Sequence, residues 1–265
     1  MYTHSSNPKY ALIRPPLKTP IFTNMPKYRI KTAIKKWNEE ELFICEKIKK
    51  IPRYFCFFAP ILKSSLLNIP EKYVLIHQEE LVPFYEFFRN LPEKQLEYFA
   101  WSSFSRLSDA FNLLNSNGIL YTNYGKIGFT YQNQPVLFDF ERNINDLQYL
   151  PLEQRVVIFL EKNSHIEALS KTDITDICFG FNRNKYDENE DIREKNQEKC
   201  MNLLIPWINQ PKSATLNEMN KYKDTWDIYS LSMLYLNLTT VYPIILKTFP
   251  VDVLYKNMHL DGKSR

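Results

Sequence analysis

The sequence predicts an α+β fold in which a small mixed lobe is followed by a larger, mostly helical one. The first observation behind this prediction is the order of the elements: short apolar runs with one helix among them come first, and helices with a single hairpin follow. The second is the composition. Hydrophobic residues make up 44% of the 265 positions and aromatic residues 15%, which is enough to bury a substantial core.

A basic, proline-containing arm opens the chain. Residues 1–26 contain five prolines and no sustained periodicity, so they are predicted to be extended. Eight lysines and arginines occur before the first acid, Glu39. Such an arm can bind nucleic acid or another acidic surface by electrostatic attraction, and the alternative is an extended arm that is solvated or lies on a partner protein.

The small lobe is predicted from three apolar runs and one helix. The runs "KYRIKTAI", "YFCFFAPIL" and "KYVLIHQ" have the β-branched and aromatic content of strands. Between the first two lies "NEEELFICEKIKKIP", in which Leu42, Cys45 and Ile48 recur at helical spacing. Asn38 stands in the position of an N-cap and Pro52 ends the segment, so a helix is predicted between them.

The larger lobe begins with the longest predicted helix. The run "PEKQLEYFAWSSFSRLSDAFNLLNSNG" carries a broad apolar stripe and ends at Gly118, where glycine permits a left-handed cap. The strands "KIGFTY" and "PVLFDF" then form a hairpin through "QNQ". The runs "PLEQRVVIFLEKN" and "DTWDIYSLSMLYLNL" are predicted helices. The polar run "NRNKYDENEDIREKNQEK" is predicted to be an exposed loop or the start of a surface helix.

The sequence lacks the residue patterns that several classes of functional site need. The five glycines include none before Gly118, so no glycine-rich phosphate loop lies in the first 117 residues. The four cysteines and four histidines have neither metal-ligand nor triad spacing, and the cysteines are expected to be lone buried thiols of a reducing compartment. Without a long apolar run or the pattern of a secretion signal, an intracellular location is expected.

Six segments carry a family resemblance. They are "EEELFICEKIKKIPRYFCFFAPI", "KYVLIHQEEL", "PVLFDF", "YLPLEQRVVIFL", "DIYSLS" and "NMHLDGKSR". In this order they resemble the αC helix, the strand into the hinge, the strand entering D-F-G, the A-P-E motif, the start of αF and the C-terminal segment of the eukaryotic-type protein kinase fold. The resemblance is closest to divergent kinases of large DNA viruses and runs from about residue 28 to the end.

The resemblance implies a two-lobed, protein-kinase-like architecture. Residues 1–26 would be the arm, and residues 27–78 would be a reduced N-lobe without a glycine-rich loop. Residues 79–265 would be the C-lobe, with an insertion at about 160–222.

The same resemblance assigns structural roles to three residues. Asp227 would accept hydrogen bonds from the loop that carries the catalytic residues, with Asp224 as its rival. Glu153 and Arg265 match the pair that anchors the activation segment. The scaffold of the kinase fold is therefore expected to be present.

The positions that support phosphoryl transfer are mostly changed. Asn123 matches the residue that orients the nucleophile, Gly128 matches the second metal ligand, and Glu141 matches the glycine of D-F-G. Asp139 is the metal-binding position that remains, and a hard cation normally takes more than one protein oxygen.

The nucleotide-binding lysine has more than one candidate. Lys31 is a strand lysine that would pair with Glu41. Lys35 and Lys36 look like the kinase motif, but they lie only six and five residues before Glu41. A solvated basic strand edge is the alternative for all three lysines.

The resemblance leads to the expectation of a catalytically inactive pseudokinase that binds other proteins or serves as a structural component. A virion part or an assembly scaffold is its most concrete form, and no cofactor is expected. The alternative is a divergent active Ser/Thr protein kinase that uses Lys31 and Asp139 with ATP and Mg²⁺. A third reading is a protein that senses nucleotide without transfer. Protein partners, including virion proteins, are expected at the arm and the insertion, and the location would be the host cytoplasm or the virion.

Overall fold

The fold is α+β, as predicted, in a computed structural model that describes most of the chain. The described residues are 2–3, 28–66, 73–119, 121, 124–140, 149–179, 190–247, 249, 251–259 and 262–264. For residues 2–3, 28–40, 63–66, 73–78, 190–193, 196 and 251 only the backbone is described. Nearly all of the predicted arm therefore lies outside the described residues.

The contacts within the chain divide it into two compact units. Unit 1 comprises residues 1–144 and 243–249, and unit 2 comprises residues 145–242 and 250–265.

All strands of the described residues lie in unit 1. They are β1 (Tyr2–Thr3), β2 (Tyr28–Ile34), β3 (Phe58–Ala59), β4 (Lys63–Leu66), β5 (Tyr73–Glu79), β6 (Val82–Pro83), β7 (Ile127–Phe129) and β8 (Pro135–Phe138). One sheet has the order β1-β2-β5-β4, and the other has the order β3-β8-β7-β6. Each sheet is mixed, because β1 pairs with β2 and β3 pairs with β8 in parallel, whereas the remaining pairs are antiparallel.

Two of the three predicted strands of the small lobe are confirmed as β2 and β5. The third run, "YFCFFAPIL", forms only the two-residue strand β3 and a short 3₁₀ turn at Tyr54–Cys56. Arg53, just before that turn, adopts a left-handed backbone with φ 58°, which interrupts extended pairing.

Unit 1 also contains three helices among the described residues. They are α1 (Lys35–Lys49), α2 (Phe84–Arg89) and α3 (Glu93–Ser116). The predicted start of α1 at Asn38 is wrong, because β2 extends to Ile34 and passes directly into the helix without an intervening cap. The predicted long helix is confirmed as α3, and Gly118 follows it with a φ of 66°.

The predicted hairpin is confirmed as β7 and β8. Ile127 pairs with Leu137 and Phe129 pairs with Pro135. The turn is closed by the Asn133 N–H, which donates to the Thr130 carbonyl at 2.9 Å. In the core of unit 1, the rings of Phe87 and Phe129 stack with their centroids 3.7 Å apart.

Unit 2 is helical in its described residues. Its helices are α4 (Leu152–Lys162), α5 (Lys171–Phe179), α6 (Glu190–Leu204), α7 (Lys212–Asn220), α8 (Trp226–Val241) and α9 (Val251–Asn257). Buried apolar residues of α4 to α8 form one cluster that includes Val156, Ile174, Cys200, Met219 and Trp226. The predicted helices α4 and α8 are confirmed, and the predicted insertion contains α5, α6 and α7.

The division into units does not follow the predicted lobe boundary at residue 79. β3 pairs with β8 in one sheet, and α3 packs on β8, so residues on both sides of position 79 belong to unit 1. The two lobes of the kinase-like architecture stay a prediction. Among the helices of the described residues, none has the length and apolar character needed to cross a membrane.

Candidate functional site

A buried glutamate of α1 contacts the turn that follows β8. Glu41 is 3% exposed, and its Oε1 accepts a hydrogen bond from the Phe140 backbone N–H at 3.1 Å. The two residues are 99 positions apart in the chain. Helix α1 directs Cys45 and Ile48 into the same buried side, because the three residues are spaced by four and three positions. The structure thus brings the predicted residue Glu41 to the predicted D-F-G-like segment.

Asp139 occupies a constrained position within this turn. It follows the last residue of β8 and has a φ of 61°, a left-handed conformation that non-glycine residues seldom adopt. The residue is 6% exposed. Its Oδ2 lies 3.3 Å from Nζ of Lys126, whose side chain is 44% exposed. The carboxylate is therefore nearly buried and in contact with a cation that reaches it from the solvent side.

The hydroxyl of Tyr121 connects the two backbone segments that carry this ion pair. It lies 2.8 Å from the Lys126 carbonyl oxygen and 2.8 Å from the Phe138 carbonyl oxygen, and it can donate to either. The Phe138 N–H donates to the Lys126 carbonyl at 3.2 Å. The ring of Tyr121 packs edge-on against Phe140 with the centroids 5.6 Å apart. These contacts fix where Lys126 and Asp139 leave the hairpin.

Gly128 lies in the middle of β7, where it pairs with Val136 and Pro83. A Cβ at this position would come within 2.8 Å of the Leu81 Cβ and 3.2 Å of Phe138 Cε1. Close packing therefore excludes a larger side chain here, which explains the glycine without reference to a metal.

Three predicted site residues lie wholly or partly outside the part of the chain that the structure describes. Asn123 and Glu141 lie outside the described residues. Lys31 pairs with Ile76 between β2 and β5, but its side chain is not described. The predicted pairing of Lys31 with Glu41 stays a prediction.

The predicted structural residues of unit 2 are strongly buried. Glu153 is 6% exposed and Asp227 is 1% exposed, and each lies in the first turn of its helix. The rival Asp224 is exposed. Of the two aspartates, only Asp227 has the burial that the resemblance implies.

The last described turn of the chain packs against Glu153. A Cβ on Gly262 would lie 2.6 Å from Glu153 Oε1 and 2.6 Å from Cγ of Tyr222. Gly262 is three residues before Arg265, which lies outside the described residues. The predicted pair of Glu153 and Arg265 stays a prediction.

The sequence did not indicate a role for Arg155, a buried arginine two positions after Glu153. Arg155 is 4% exposed, and its Nε donates to the Leu150 carbonyl at 3.1 Å. Burial lowers the pKa of the Arg155 guanidinium to about 10. Burial also raises the pKa values of the neighbouring Cys178 and Cys200 thiols, to about 11 and about 12. These thiols are protonated at neutral pH and behave as core residues.

Two carboxylates at the end of β5 were also missed. Glu80 is 4% exposed, and its Oε2 accepts a hydrogen bond from the Tyr131 hydroxyl at 2.9 Å. Glu79 is half-buried, and the partial loss of solvent raises the pKa of its carboxyl to about 7. The adjacent acids at the end of an apolar strand were a signal that one of them would be buried, but the sequence does not say which.

All four cysteines are free thiols; Cys45, Cys178 and Cys200 are buried and Cys56 is half-buried. Within the described ranges, no three His, Cys, Asp or Glu side chains come together as a metal-binding group. Comparison of the sequence with models of known protein families finds no match, and comparison with curated proteins finds no relative.

Proposed function

We propose that the chain is a catalytically inactive, kinase-like protein that binds other proteins or forms part of a larger assembly. The observation that carries this proposal is the contact between the Lys126 ammonium and Asp139 Oδ2. Asp139 is the metal-binding position that the resemblance leaves intact. Lys126 supplies the positive charge to that carboxylate from within the chain.

A divalent cation on Asp139 would meet an unfavourable environment. Mg²⁺ at the same oxygen would lie close to the Lys126 ammonium, and two positive charges at such a distance repel each other. The Lys126 side chain would have to turn into solvent before the metal could bind. Mg²⁺ also requires several oxygens in near-octahedral geometry. Weak or absent binding of ATP with Mg²⁺ follows from this arrangement.

The contact between Glu41 and Phe140 supports the kinase-like part of the proposal. A helix glutamate reaches the backbone of a D-F-x turn although the two lie far apart in the sequence. A protein with this turn and with a lysine on the aspartate would keep the shape of a kinase and use it for binding. The assignment to a virion or to its assembly rests on the viral resemblance alone.

Thermal unfolding with ATP and Mg²⁺ tests the proposal. A ligand at ten times its Kd raises the free energy of unfolding by about 1.4 kcal/mol. For a chain of this size that corresponds to a rise in Tm of about 3–5 °C. We expect no change in Tm at millimolar nucleotide, with an active protein kinase as the positive control. A rise in Tm that disappears in Asp139→Ala would overturn the proposal in favour of nucleotide binding.

Transfer of radiolabelled phosphate to a generic acceptor, abolished by Lys31→Met, would establish an active kinase.

A further inference from the structure

We propose that the outward face of α1 and the turn after it form a docking surface for an acidic protein segment that carries apolar side chains. The surface consists of Phe43, Lys47, Lys50, Arg53 and Phe55 and is called the α1 surface below. This inference rests on the protein-binding role proposed above and adds the chemistry of one partner.

Helical geometry places Phe43 and Lys47 on one side of α1, and Lys50 follows directly after the last residue of the helix. Phe43 and Lys47 are four positions apart, so they share a face of the helix, and the Lys50 N–H donates to the Lys47 carbonyl at 3.1 Å in the turn that follows. Phe43, Lys47 and Lys50 are all exposed. Glu41, Cys45 and Ile48 occupy the opposite, buried face. The helix is thus anchored from inside, and it and the turn residue after it present a phenylalanine and two lysines to the solvent.

The α1 surface exposes two large apolar side chains. Phe43 is 61% exposed and Phe55 is 66% exposed. Leaving such rings in water forgoes the hydrophobic stabilisation that burial gives, and aromatic residues are enriched in the buried centres of protein interfaces. An occupant that covers both rings would therefore bring apolar groups.

The charge of the α1 surface is strongly positive. Residues 43–55 contain Lys47, Lys49, Lys50 and Arg53 against a single exposed acid, Glu46. Glu46 is already paired with Lys49 at 2.7 Å. Among the described residues, none forms a salt bridge with Lys47, Lys50 or Arg53. Charge complementarity therefore calls for a partner with several carboxylates.

The turn that carries Phe55 is fixed by backbone contacts. The Tyr54 N–H donates to the Ile51 carbonyl at 3.1 Å, and the Cys56 N–H donates to the Arg53 carbonyl at 2.9 Å. The Arg106 Nε of α3 donates to the Cys56 carbonyl at 3.2 Å. The backbone that carries Phe55 is therefore already ordered, so binding would have to order only the exposed Phe55 side chain.

The geometry at Phe43 favours a protein partner over single-stranded nucleic acid. The Lys47 ammonium lies 4.5 Å from the centroid of the Phe43 ring, so one face of the ring is already covered by a cation. Proteins that bind single-stranded nucleic acid stack its bases on open aromatic faces in a basic groove. A carboxylate that pairs with Lys47 while an apolar side chain packs at the edge of the ring uses the arrangement as it is.

Fluorescence anisotropy with three labelled peptides tests the proposal on the full-length protein. The first peptide is about fifteen residues of Asp, Glu, Leu and Phe, a length that covers two turns of helix and the following turn. The second replaces every Leu and Phe by Ser, and the third replaces every Asp and Glu by Asn and Gln. We expect the first peptide to bind at least about tenfold more tightly than either of the others and to weaken as salt is raised.

Two double variants test whether the residues of the α1 surface bind the peptide. Phe43→Ser with Lys47→Glu, and Phe55→Ser with Lys50→Glu, should each weaken binding of the first peptide by about tenfold or more. The matched control is Tyr98→Ser with Lys94→Glu. Tyr98 and Lys94 are an exposed aromatic residue and an exposed lysine, also four positions apart, on α3. This control should leave the affinity unchanged. If a phenylalanine variant fails to fold by circular dichroism, Lys47→Gln with Lys50→Gln tests the charge alone.

Several results would overturn the proposal. These are no binding of the first peptide, equal binding of all three peptides, or an equal loss in the α3 control. Tighter binding of a single-stranded oligonucleotide that is lost in the same variants would assign the surface to nucleic acid instead. Failure of the peptide to bind while ATP and Mg²⁺ still leave Tm unchanged removes this surface but not the proposed function. A rise in Tm with ATP and Mg²⁺ overturns the proposed function and leaves the peptide result standing.

Discussion

The buried carboxylates of the two units are placed in different local structures. In unit 2, Glu153 and Asp227 each lie in the first turn of a helix. There the free backbone N–H groups and the helix dipole favour a negative charge. In unit 1, Asp139 follows the end of a strand and contacts the ammonium of Lys126. Glu41 lies within α1 and accepts from a backbone N–H that is 99 positions away.

The buried acids of unit 2 anchor the fold, whereas those of unit 1 hold local groups in position. A carboxylate in the first turn of a helix obtains part of its stabilisation from its own segment, and in unit 2 these acids are enclosed by apolar helices. The acids of unit 1 depend on groups that other elements supply. Substitution should therefore cost most stability in unit 2, whereas substitution in unit 1 should change local charge and ligand binding more than overall stability.

The largest effect is expected for Asp227→Ala in unit 2. Asp227 is 1% exposed, so its removal deletes the charge at the start of α8 and leaves a cavity in the core. We expect the free energy of unfolding to fall by about 2–4 kcal/mol in urea denaturation.

Asp224→Ala is the matched control for this prediction. Asp224 is exposed and lies three positions earlier, so its loss should change the free energy of unfolding by less than about 0.5 kcal/mol. Equal losses in the two variants would contradict the role given to Asp227 and end the contrast between the units.

An intermediate effect is expected for Glu79→Gln in unit 1. Burial raises the pKa of Glu79 from its usual value of 4.5 to about 7. Between these pH values the folded protein holds a proton that the unfolded chain has released. The contribution of Glu79 to stability is therefore greatest below about pH 4.5 and decreases as the pH rises to about 7.

Glu79→Gln should remove this pH dependence. At about pH 8 the variant should be more stable than the parent protein by up to about 2 kcal/mol, because glutamine never ionises. At about pH 4 the two proteins should be nearly equal. Thermal unfolding across this range measures the difference, and parallel curves for the two proteins would count against the burial of the Glu79 carboxyl.

The long and strongly periodic elements could be predicted from the sequence. Helix α3 has an apolar stripe of several turns, and the hairpin of β7 and β8 has two apolar strands with polar turn residues between them. The helices α2, α5, α7 and α9 were not predicted, because none is longer than nine residues, so their apolar positions do not repeat often enough to show a period. The start of α1 was mispredicted because Asn38 has the chemistry of a cap but lies inside the helix.

The site could be predicted only in part, for a related reason. Glu41 and Asp139 were singled out through motifs, and the structure brings Glu41 to Phe140, the residue after Asp139. Lys126 carries no such signal, since the chain has 34 lysines and arginines and nothing local distinguishes this one. Its contact with Asp139 depends on the register of the hairpin, in which Ile127 pairs with Leu137. A change of one position in that register would direct Lys126 away from the carboxylate.

The smallest effect on stability is expected for Lys126→Met. The Lys126 side chain is 44% exposed, and ion pairs open to solvent contribute about 0–1 kcal/mol. Chemical denaturation of Lys126→Met, Asp139→Asn and the double variant should therefore give a coupling energy of at most about 1 kcal/mol. Lys94→Met on α3 serves as the control for replacing an exposed lysine. A coupling energy as large as the loss in Asp227→Ala would mean that Lys126 anchors unit 1 as Asp227 anchors unit 2. The distinction between positioning and anchoring would then fail.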